Sequence, residues 1–311
     1  MIKKTKLLIT ILLILFLNSY AYAKSNIVIL YKINNTIITS IDIENEIKYL
    51  IALNNKLIDL DDKKIKEIAE NSIIREKIKE IELIKYFVLD QKNSYLNVVV
   101  KDFYIKLGLE NEQQFEEYLN SYNLTIKKLK KKIEIETTWN QLIFDKYDKQ
   151  ININRKNLEK IVDKNIATKK SKNYLLSEIV FEKNINESID DKALKIKNSI
   201  KKIGFKNTAN TYSIAESAKF GGDIGWLEEI NLSKKIVGHI KKLKIGEITK
   251  PILNGKNYLI LKLENIKEET VKIKRDVMLK RLIQSEQNRQ LTQFSNIYFN
   301  KVKINTSINE L

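Results

Sequence analysis

The sequence predicts an α+β protein in which a mainly helical chain is interrupted by a small antiparallel sheet covered by helices. Seven of the eight glycines and the only proline, Pro251, lie between Gly204 and Gly255, whereas residues 24–203 carry only Gly108. Glycine and proline mark tight turns, so we expect short strands and close connections in this central stretch. The flanks, nearly free of such residues, should form long helices.

Composition limits the chemistry that the chain can perform. The 311 residues are 43% hydrophobic, which is enough for a sizeable core and two domains. With no cysteine, disulfides, thiol nucleophiles and zinc–thiolate clusters are excluded. The single histidine, His239, cannot form a two-histidine metal site, and its expected place within a helix makes it a bystander. We therefore expect no metal and no cofactor.

Residues 1–23 have the pattern of a secretory signal. Three lysines open the segment, residues 7–17 are apolar and uncharged, and Ala21-Tyr22-Ala23 supplies a small-x-small cleavage pattern. This pattern predicts cleavage after Ala23 and export to the periplasm of a bacterial envelope. The alternative is an uncleaved membrane anchor, which the shortness of the apolar run disfavours.

The chain is strongly basic, with 56 Lys and Arg against 39 Asp and Glu. Its densest basic run, residues 127–132, alternates with Ile126, Leu129 and Ile133 at helical spacing, as on a solvated amphipathic helix. We therefore expect no nucleic-acid partner. The charge instead favours solubility and attraction to anionic partners or membrane surfaces.

The N-terminal flank predicts two short strands followed by helices. Residues 27–31 and 36–39 have strand character around Asn34-Asn35, and Ser40 is expected to cap the first helix. A second helix should follow Asp61-Asp62. Further amphipathic stretches occur around residues 103–107, 115–119 and 126–143.

The central stretch has the order β-α-α-β-α-β-β. Its elements are a strand at 174–181, a helix ending at Gly204, a short helix at 205–212, a diglycine segment at 221–226, a helix carrying Leu232 and Ile236, and strands near 247–252 and 258–263. In the diglycine segment, Asp223 should fasten a turn and Trp226 should anchor it in the core.

The last helical pattern, residues 271–302, has no core of its own and should dock on the N-terminal helices. The sequence thus predicts four segments: a signal peptide at 1–23, a helical domain at 24–170, an inserted domain at 171–266, and a C-terminal helix at 267–311.

Three motifs of the inserted segment resemble a parvulin-type peptidyl-prolyl isomerase domain, also called PpiC or rotamase. They are Phe205-x3-Ala209-x2-Tyr212-Ser213, Ser217-Ala218-Lys219-x-Gly221-Gly222-Asp223-Ile224-Gly225-Trp226 and Gly246-Glu247-Ile248-Thr249-x-Pro251. With the signal and the flanking helices, the whole chain resembles the SurA-like periplasmic chaperones. It departs from the familiar two-rotamase form by having one such domain.

The resemblance also implies where a site would lie. Parvulins carry two histidines and a Cys or Asp beside an apolar cup that holds proline, and the corresponding polar positions here are Glu178, Ala215 and Leu259. The cup positions are Ile224, Leu232 and Ile236, and Asn254 stands where a hydroxyl residue is common. The usual catalytic groups are therefore replaced. Glu178 is either an edge carboxylate or a residual polar partner.

The resemblance implies an ATP-independent chaperone that binds unfolded or nascent outer-membrane proteins and aromatic-rich peptides, with little or no isomerase activity. Transient contact with the outer-membrane assembly machinery is also expected. The alternative is an active peptidyl-prolyl isomerase of the envelope. A third class, a purely structural envelope protein, would show neither activity.

Overall fold

A computed structural model of the chain describes residues 27–89, 94–166, 171–183, 187–269 and 275–311. The fold is α+β, as predicted, with a helical part at 27–166 and 275–311 and an insert at 171–269. The predicted signal peptide and residues 271–274 of the predicted last helix lie outside the described residues. Among the helices described, none has a stretch long and apolar enough to cross a membrane.

The helices and strands follow in chain order. The helices are α1 (Ser40–Leu53), α2 (Asp62–Leu83), α3 (Ser94–Lys106), α4 (Glu112–Ser121), α5 (Ile126–Tyr147), α6 (Arg155–Ile166), α7 (Ile189–Tyr212), α8 (Lys234–Ile240) and α9 (Arg275–Ile304). The strands are β1 (Ile29–Ile33), β2 (Thr36–Thr39), β3 (Ser171–Phe181), β4 (Asp223–Glu228), β5 (Ile252–Asn254), β6 (Asn257–Glu269) and β7 (Ile308–Glu310).

The first helix is capped one residue earlier than predicted. Thr39, not Ser40, is the N-cap: its hydroxyl accepts from the Asp42 amide, and the Asp42 carboxylate accepts from the Thr39 amide. This reciprocal pair needs an acidic residue three positions after the cap, which Thr39 has and Ser40 lacks. The predicted cap at Ser40 is therefore wrong.

The two ends of the chain meet in the helical part. Strand β7 at the C-terminus pairs with β1, which also pairs with β2, in an antiparallel sheet of order β2-β1-β7. Helix α9 packs on α5, where Tyr298 and Phe299 contact the ring of fully buried Trp139. The C-terminal helix thus docks on the N-terminal helices, as the sequence predicts.

The insert is built on a four-stranded antiparallel sheet of order β4-β3-β6-β5. Strands β3 and β6 pair along their whole length, from Ser171 opposite Glu269 to Phe181 opposite Tyr258. Because side chains alternate along a strand, the two faces carry separate cores. Ile179 and Ile260, which pair with each other, pack on α7. Leu259 and Leu261, on the other face, pack on α8.

Two local expectations in the insert are wrong. Trp226 lies on edge strand β4 and is 42% exposed. The Lys267 ammonium lies 4.8 Å from the centroid of its ring. Leu232 precedes α8 instead of lying on it, because Ser233 caps that helix by accepting from the Ile236 amide. The predicted break at Gly204 is present, where a φ of 79° separates two helical segments of α7.

Candidate functional site

The apolar cup positions lie together on one face of the insert sheet. This face carries Leu259 and Leu261 of β6 and Tyr174 and Leu176 of β3, all buried. The three cup residues, Ile224, Leu232 and Ile236, pack against this cluster and are each only partly buried. The arrangement leaves an apolar surface partly open to solvent, which is what a proline ring requires.

Three different elements supply the cup. Ile224 is the second residue of edge strand β4, Leu232 ends the short turn Glu229–Asn231, and Ile236 lies in the first turn of α8. The Lys235 ammonium donates to the Leu253 carbonyl at 3.1 Å and so ties α8 to β5. The cup is therefore anchored to both edge strands of the sheet, β4 and β5.

Asn254 lies at the end of β5, in the hairpin that joins β5 to β6. It pairs across the hairpin with Asn257 and is half-buried. Two residues earlier, Ile252 belongs to the buried cluster behind the cup. Asn254 therefore shares strand β5 with a residue of this cluster but lies at the other end of the strand. His239 is a partly buried residue of α8.

Glu178 lies on the same sheet face as the cup. Glu178 pairs with Leu261 of β6, and two residues further along β3, on the same face, Val180 pairs with Leu259. Its carboxylate Oε1 accepts a hydrogen bond of 2.8 Å from the Ser217 hydroxyl. Burial raises the pKa of the Glu178 carboxyl, and the Ser217 hydroxyl opposes that rise by stabilising the charged form.

The backbone of Gly222 holds Glu178 and Ser217 together. The Glu178 amide donates to the Gly222 carbonyl at 2.7 Å, and the Gly222 amide donates to the Ser217 carbonyl at 2.8 Å. A Cβ on Gly222 would lie 2.3 Å from the Glu178 carbonyl oxygen, and φ there is +82°. Only glycine permits this close approach.

Ala215 brings no polar group to the site. Its amide donates to the Ser213 hydroxyl at 3.3 Å, and the same hydroxyl accepts from the Val180 amide at 3.0 Å. These bonds fasten the segment after α7 to β3. The Ala215 methyl can neither donate nor accept a hydrogen bond.

Sequence reasoning missed Ser217 as a site residue. Ser217 belongs to the second rotamase motif, yet the contact that gives it a role joins residues 39 positions apart. Its spacing of two residues after Ala215 was the available signal. Within the described ranges, no group of three or more His, Asp or Glu side chains is placed to hold a metal ion.

Comparison with known proteins matches residues 166–265 to the rotamase family described as the PPIC-type PPIASE domain. A solved PpiC-type isomerase domain is 26% identical, covering 31% of this chain and 93% of its own, with a TM-score of 0.28. PrsA from Bacillus subtilis is 21% identical, covering 78% of this chain and 85% of its own, with a TM-score of 0.30.

A structure from a study of PEB4 and Cj1289, described as SurA-like chaperones of Campylobacter jejuni, is 16% identical. The match covers 91% of this chain and 99% of that one, with a TM-score of 0.36. No curated protein matches the chain.

Proposed function

We propose that this chain, whose residues 166–265 form a rotamase domain of the PPIC type, is an ATP-independent chaperone of the bacterial periplasm. Its helical part would hold unfolded outer-membrane proteins, and its insert would act as a binding or gating module with little isomerase activity. Reversible holding of this kind needs apolar surface and a soluble exterior, but it needs no catalytic residue.

Exposed apolar side chains of the helical part carry the first half of this proposal. Five of them follow the buried end of α2 and continue into α3: Ile84, Tyr86, Val88, Val98 and Ile105, each more than half exposed. Burying such side chains against an unfolded segment removes apolar area from water and favours binding without requiring a defined sequence. Aromatic-rich segments offer the most area per residue.

The replacement of the usual polar groups of a parvulin site supports the second part of the proposal, that the insert has little isomerase activity. Rotation about an X-Pro bond crosses a barrier of about 18–20 kcal/mol set by amide resonance, and a catalyst must favour the twisted state. Ala215 and Leu259 offer no polar side chain to do so, and Leu259 is 4% exposed within an apolar cluster. The insert can therefore seat a proline ring but has few groups to act on the amide.

A second candidate function is active isomerisation in the envelope. The apolar cup and the Glu178–Ser217 hydrogen bond favour it. A carboxyl beside the cup could hydrogen-bond the twisted amide, since polar contacts realised only in the transition state accelerate a reaction. The two functions differ in whether the insert accelerates cis–trans isomerisation of X-Pro bonds.

Holding activity is tested by suppression of aggregation of a chemically unfolded outer-membrane protein by the chain from Lys24 onward. Replacing Tyr86 and Val88 by serine should weaken suppression severalfold. The matched control replaces Ile304 and Leu311, which are 84% and 70% exposed and lie at the end of the last helix and at the last residue of the chain. Equal suppression by all three proteins, or none by the parent chain, contradicts the proposal.

Catalysis is tested with the same chain in a proline-isomerisation assay on a short X-Pro peptide. We expect at most a small acceleration. A large acceleration that Leu232→Ala abolishes would establish isomerisation as the main function and contradict the proposal of little isomerase activity.

Location and clients need a measurement in cells. Export predicts a mature N-terminus at Lys24, which N-terminal sequencing of the purified periplasmic protein would detect. Photo-crosslinking from position 88 should then trap outer-membrane proteins and, transiently, their assembly machinery. Crosslinks confined to cytoplasmic proteins would contradict the periplasmic assignment.

A further inference from the structure

A closed ring of four alternating charges joins the insert to the helical part. The Lys79 ammonium contacts Glu136 and lies 2.7 Å from Glu216 Oε1. The Lys219 ammonium lies 3.0 Å from Glu136 Oε1 and 3.6 Å from Glu216 Oε2. Lys79 and Glu136 belong to α2 and α5 of the helical part, whereas Glu216 and Lys219 belong to the short turn Glu216–Phe220 of the insert.

The ring is strongly coupled. Lys79 is 1% exposed, so its charge depends on these carboxylates for stabilisation. Burial alone would raise the pKa of the Glu216 carboxyl, but Lys79 and Lys219 outweigh it and hold that pKa well below its usual range. Burial alone would lower the pKa of Lys219, but Glu136 and Glu216 raise it well above its usual range. The ring thus favours the charged forms of Glu216 and Lys219.

Two further contacts fix the same turn. Phe220 packs on the helical core, with its ring 5.3 Å from that of Phe103 in an edge-to-face geometry. The Asn210 amide donates to the Ala218 carbonyl at 2.7 Å, and the Asn210 carbonyl oxygen accepts from Asn54 of the helical part at 2.6 Å. The turn is therefore held by charge and ring contacts from the helical part, and by Asn210 of the insert, which is itself bonded to Asn54 of the helical part.

The ring residues and the site residues alternate along this turn. Glu216 and Lys219 point to the helical part, whereas Ser217 donates to Glu178 beside the cup. Turn residues so close in sequence cannot move independently, because backbone dihedrals couple their directions. If α2 and α5 displace the turn relative to β3, the Ser217 hydroxyl therefore moves relative to Glu178.

We propose that Lys79 and Glu136 are positioning residues for the Glu178–Ser217 pair: through the Glu216–Phe220 turn, the helical part sets the hydrogen bond that Glu178 receives beside the cup. This coupling rests on the proposed function, because it acts on peptides only if they enter the cup. It gives the insert a means of sensing the state of the helical part, since a ligand that displaces the turn changes the polarity of the cup.

The test follows the ionisation of Glu178 in the full chain by NMR of ¹³C-labelled glutamate carboxyl groups, with Glu178→Gln identifying the signal. No peptide is added, so the result does not depend on chaperone or isomerase activity. Ser217→Ala should move the titration midpoint upward, because the carboxylate loses the hydroxyl that stabilises its charged form. Leu261, its ladder partner, and the Gly222 backbone carry no charge that could titrate instead.

Glu216→Gln and Lys79→Met should move the midpoint upward in the same direction as Ser217→Ala. Adding Ser217→Ala to Glu216→Gln should give no more shift than Ser217→Ala alone, because both act through one hydrogen bond. The matched control is Glu80→Gln, which removes ion pairs with Lys77 and Lys131 within the helical part.

A midpoint in folded Glu216→Gln equal to that of the parent chain would overturn the proposal, as would additive shifts in the double variant. Should Lys79→Met fail to fold, Glu216→Gln still decides, because glutamine keeps the size of the glutamate side chain and leaves the Lys79–Glu136 pair in place. Failure of the proposed function would appear separately, as no peptide binding to a chain in which the coupled shifts are present.

Discussion

Ser217 donates its hydroxyl to Glu178 Oε1 over 2.8 Å, and this hydrogen bond joins the Glu216–Phe220 turn of the insert to strand β3. Both residues face the side of the sheet that carries the cup. Because a buried carboxyl is costly to ionise, the pair makes the cup sensitive to pH in a way that an apolar surface alone would not be.

Glu178→Gln should stabilise the protein as the pH rises above the ordinary glutamate pKa. The folded-state pKa of Glu178 is raised above its ordinary value, so its contribution to stability is full below that ordinary value and is lost as the pH rises through the folded pKa. The glutamine variant lacks this loss. Melting midpoints of both proteins should diverge, in favour of the variant, between pH 4 and pH 8.

The control is Glu116→Gln, an exposed carboxyl on α4, whose melting midpoint should follow that of the parent chain at both pH values. A Glu178→Gln variant that is less stable than the parent at pH 8 would mean that the carboxylate is well stabilised where it lies.

Gly222→Ala should destabilise the insert by about 2–3 kcal/mol, since the new methyl would collide with the Glu178 carbonyl at a strained positive φ. Gly238→Ala is the matched control: it lies within α8 with no atom within 4 Å of an added Cβ, and should stabilise by about 0.5–1 kcal/mol. Urea unfolding followed at Trp226 measures both. Equal effects would contradict the close approach.

Lys132→Met should be strongly destabilising, by about 3–5 kcal/mol. Lys132 contacts Glu46, which is 1% exposed, and Glu76 in the helical part. Removing the ammonium leaves two carboxylates facing each other. Lys130→Met, which loses only a pair with a mostly exposed Glu112, should change stability by less than about 1 kcal/mol. Urea unfolding followed at buried Trp139 compares the two, and similar losses would show that the Lys132 cluster contributes little.

Restoring the polar trio should raise isomerase turnover by about tenfold or more, as positioned acid–base groups commonly do. The variant combines Glu178→His, Ala215→Asp and Leu259→His, and the peptide assay measures the gain. Burying a histidine at position 259 should cost about 1–3 kcal/mol. Leu263→His, buried in the same cluster, controls for that cost. No gain in a folded triple variant would mean that the cup no longer has the shape of a catalytic one.

The sequence predicted those parts of the fold that depend on local signals. The break at Gly204, the hairpin around Asn34 and the helix that follows Asp61-Asp62 are predicted from backbone freedom and helical periodicity. Trp226 differs from the prediction because an aromatic residue in a strand is buried only where another layer covers its face of the sheet, and Trp226 remains 42% exposed. The edge position of β4 is set by the topology.

Long-range relationships escaped the sequence for a related reason. Lys79 and Glu216 are separated by 137 positions, and each alone is an ordinary charged residue on an amphipathic segment. Strand β7 was also missed, because three residues at the chain end carry no periodicity until β1 supplies a partner. Helix α6 went unpredicted because its apolar face is short; Val162 is buried only against α9.

The pairing between the start of β3 and the end of β6 brings the two ends of the insert together. Ser171 and Glu269 sit opposite each other in the ladder, so the polypeptide enters and leaves the rotamase domain at points about 5 Å apart. A module with adjoining termini can be spliced into a host fold, or excised from it, without stretching the host. A short bridge across the excision would thus keep the path of the surrounding helices, but it would take the Glu216 carboxylate away from the buried Lys79 ammonium.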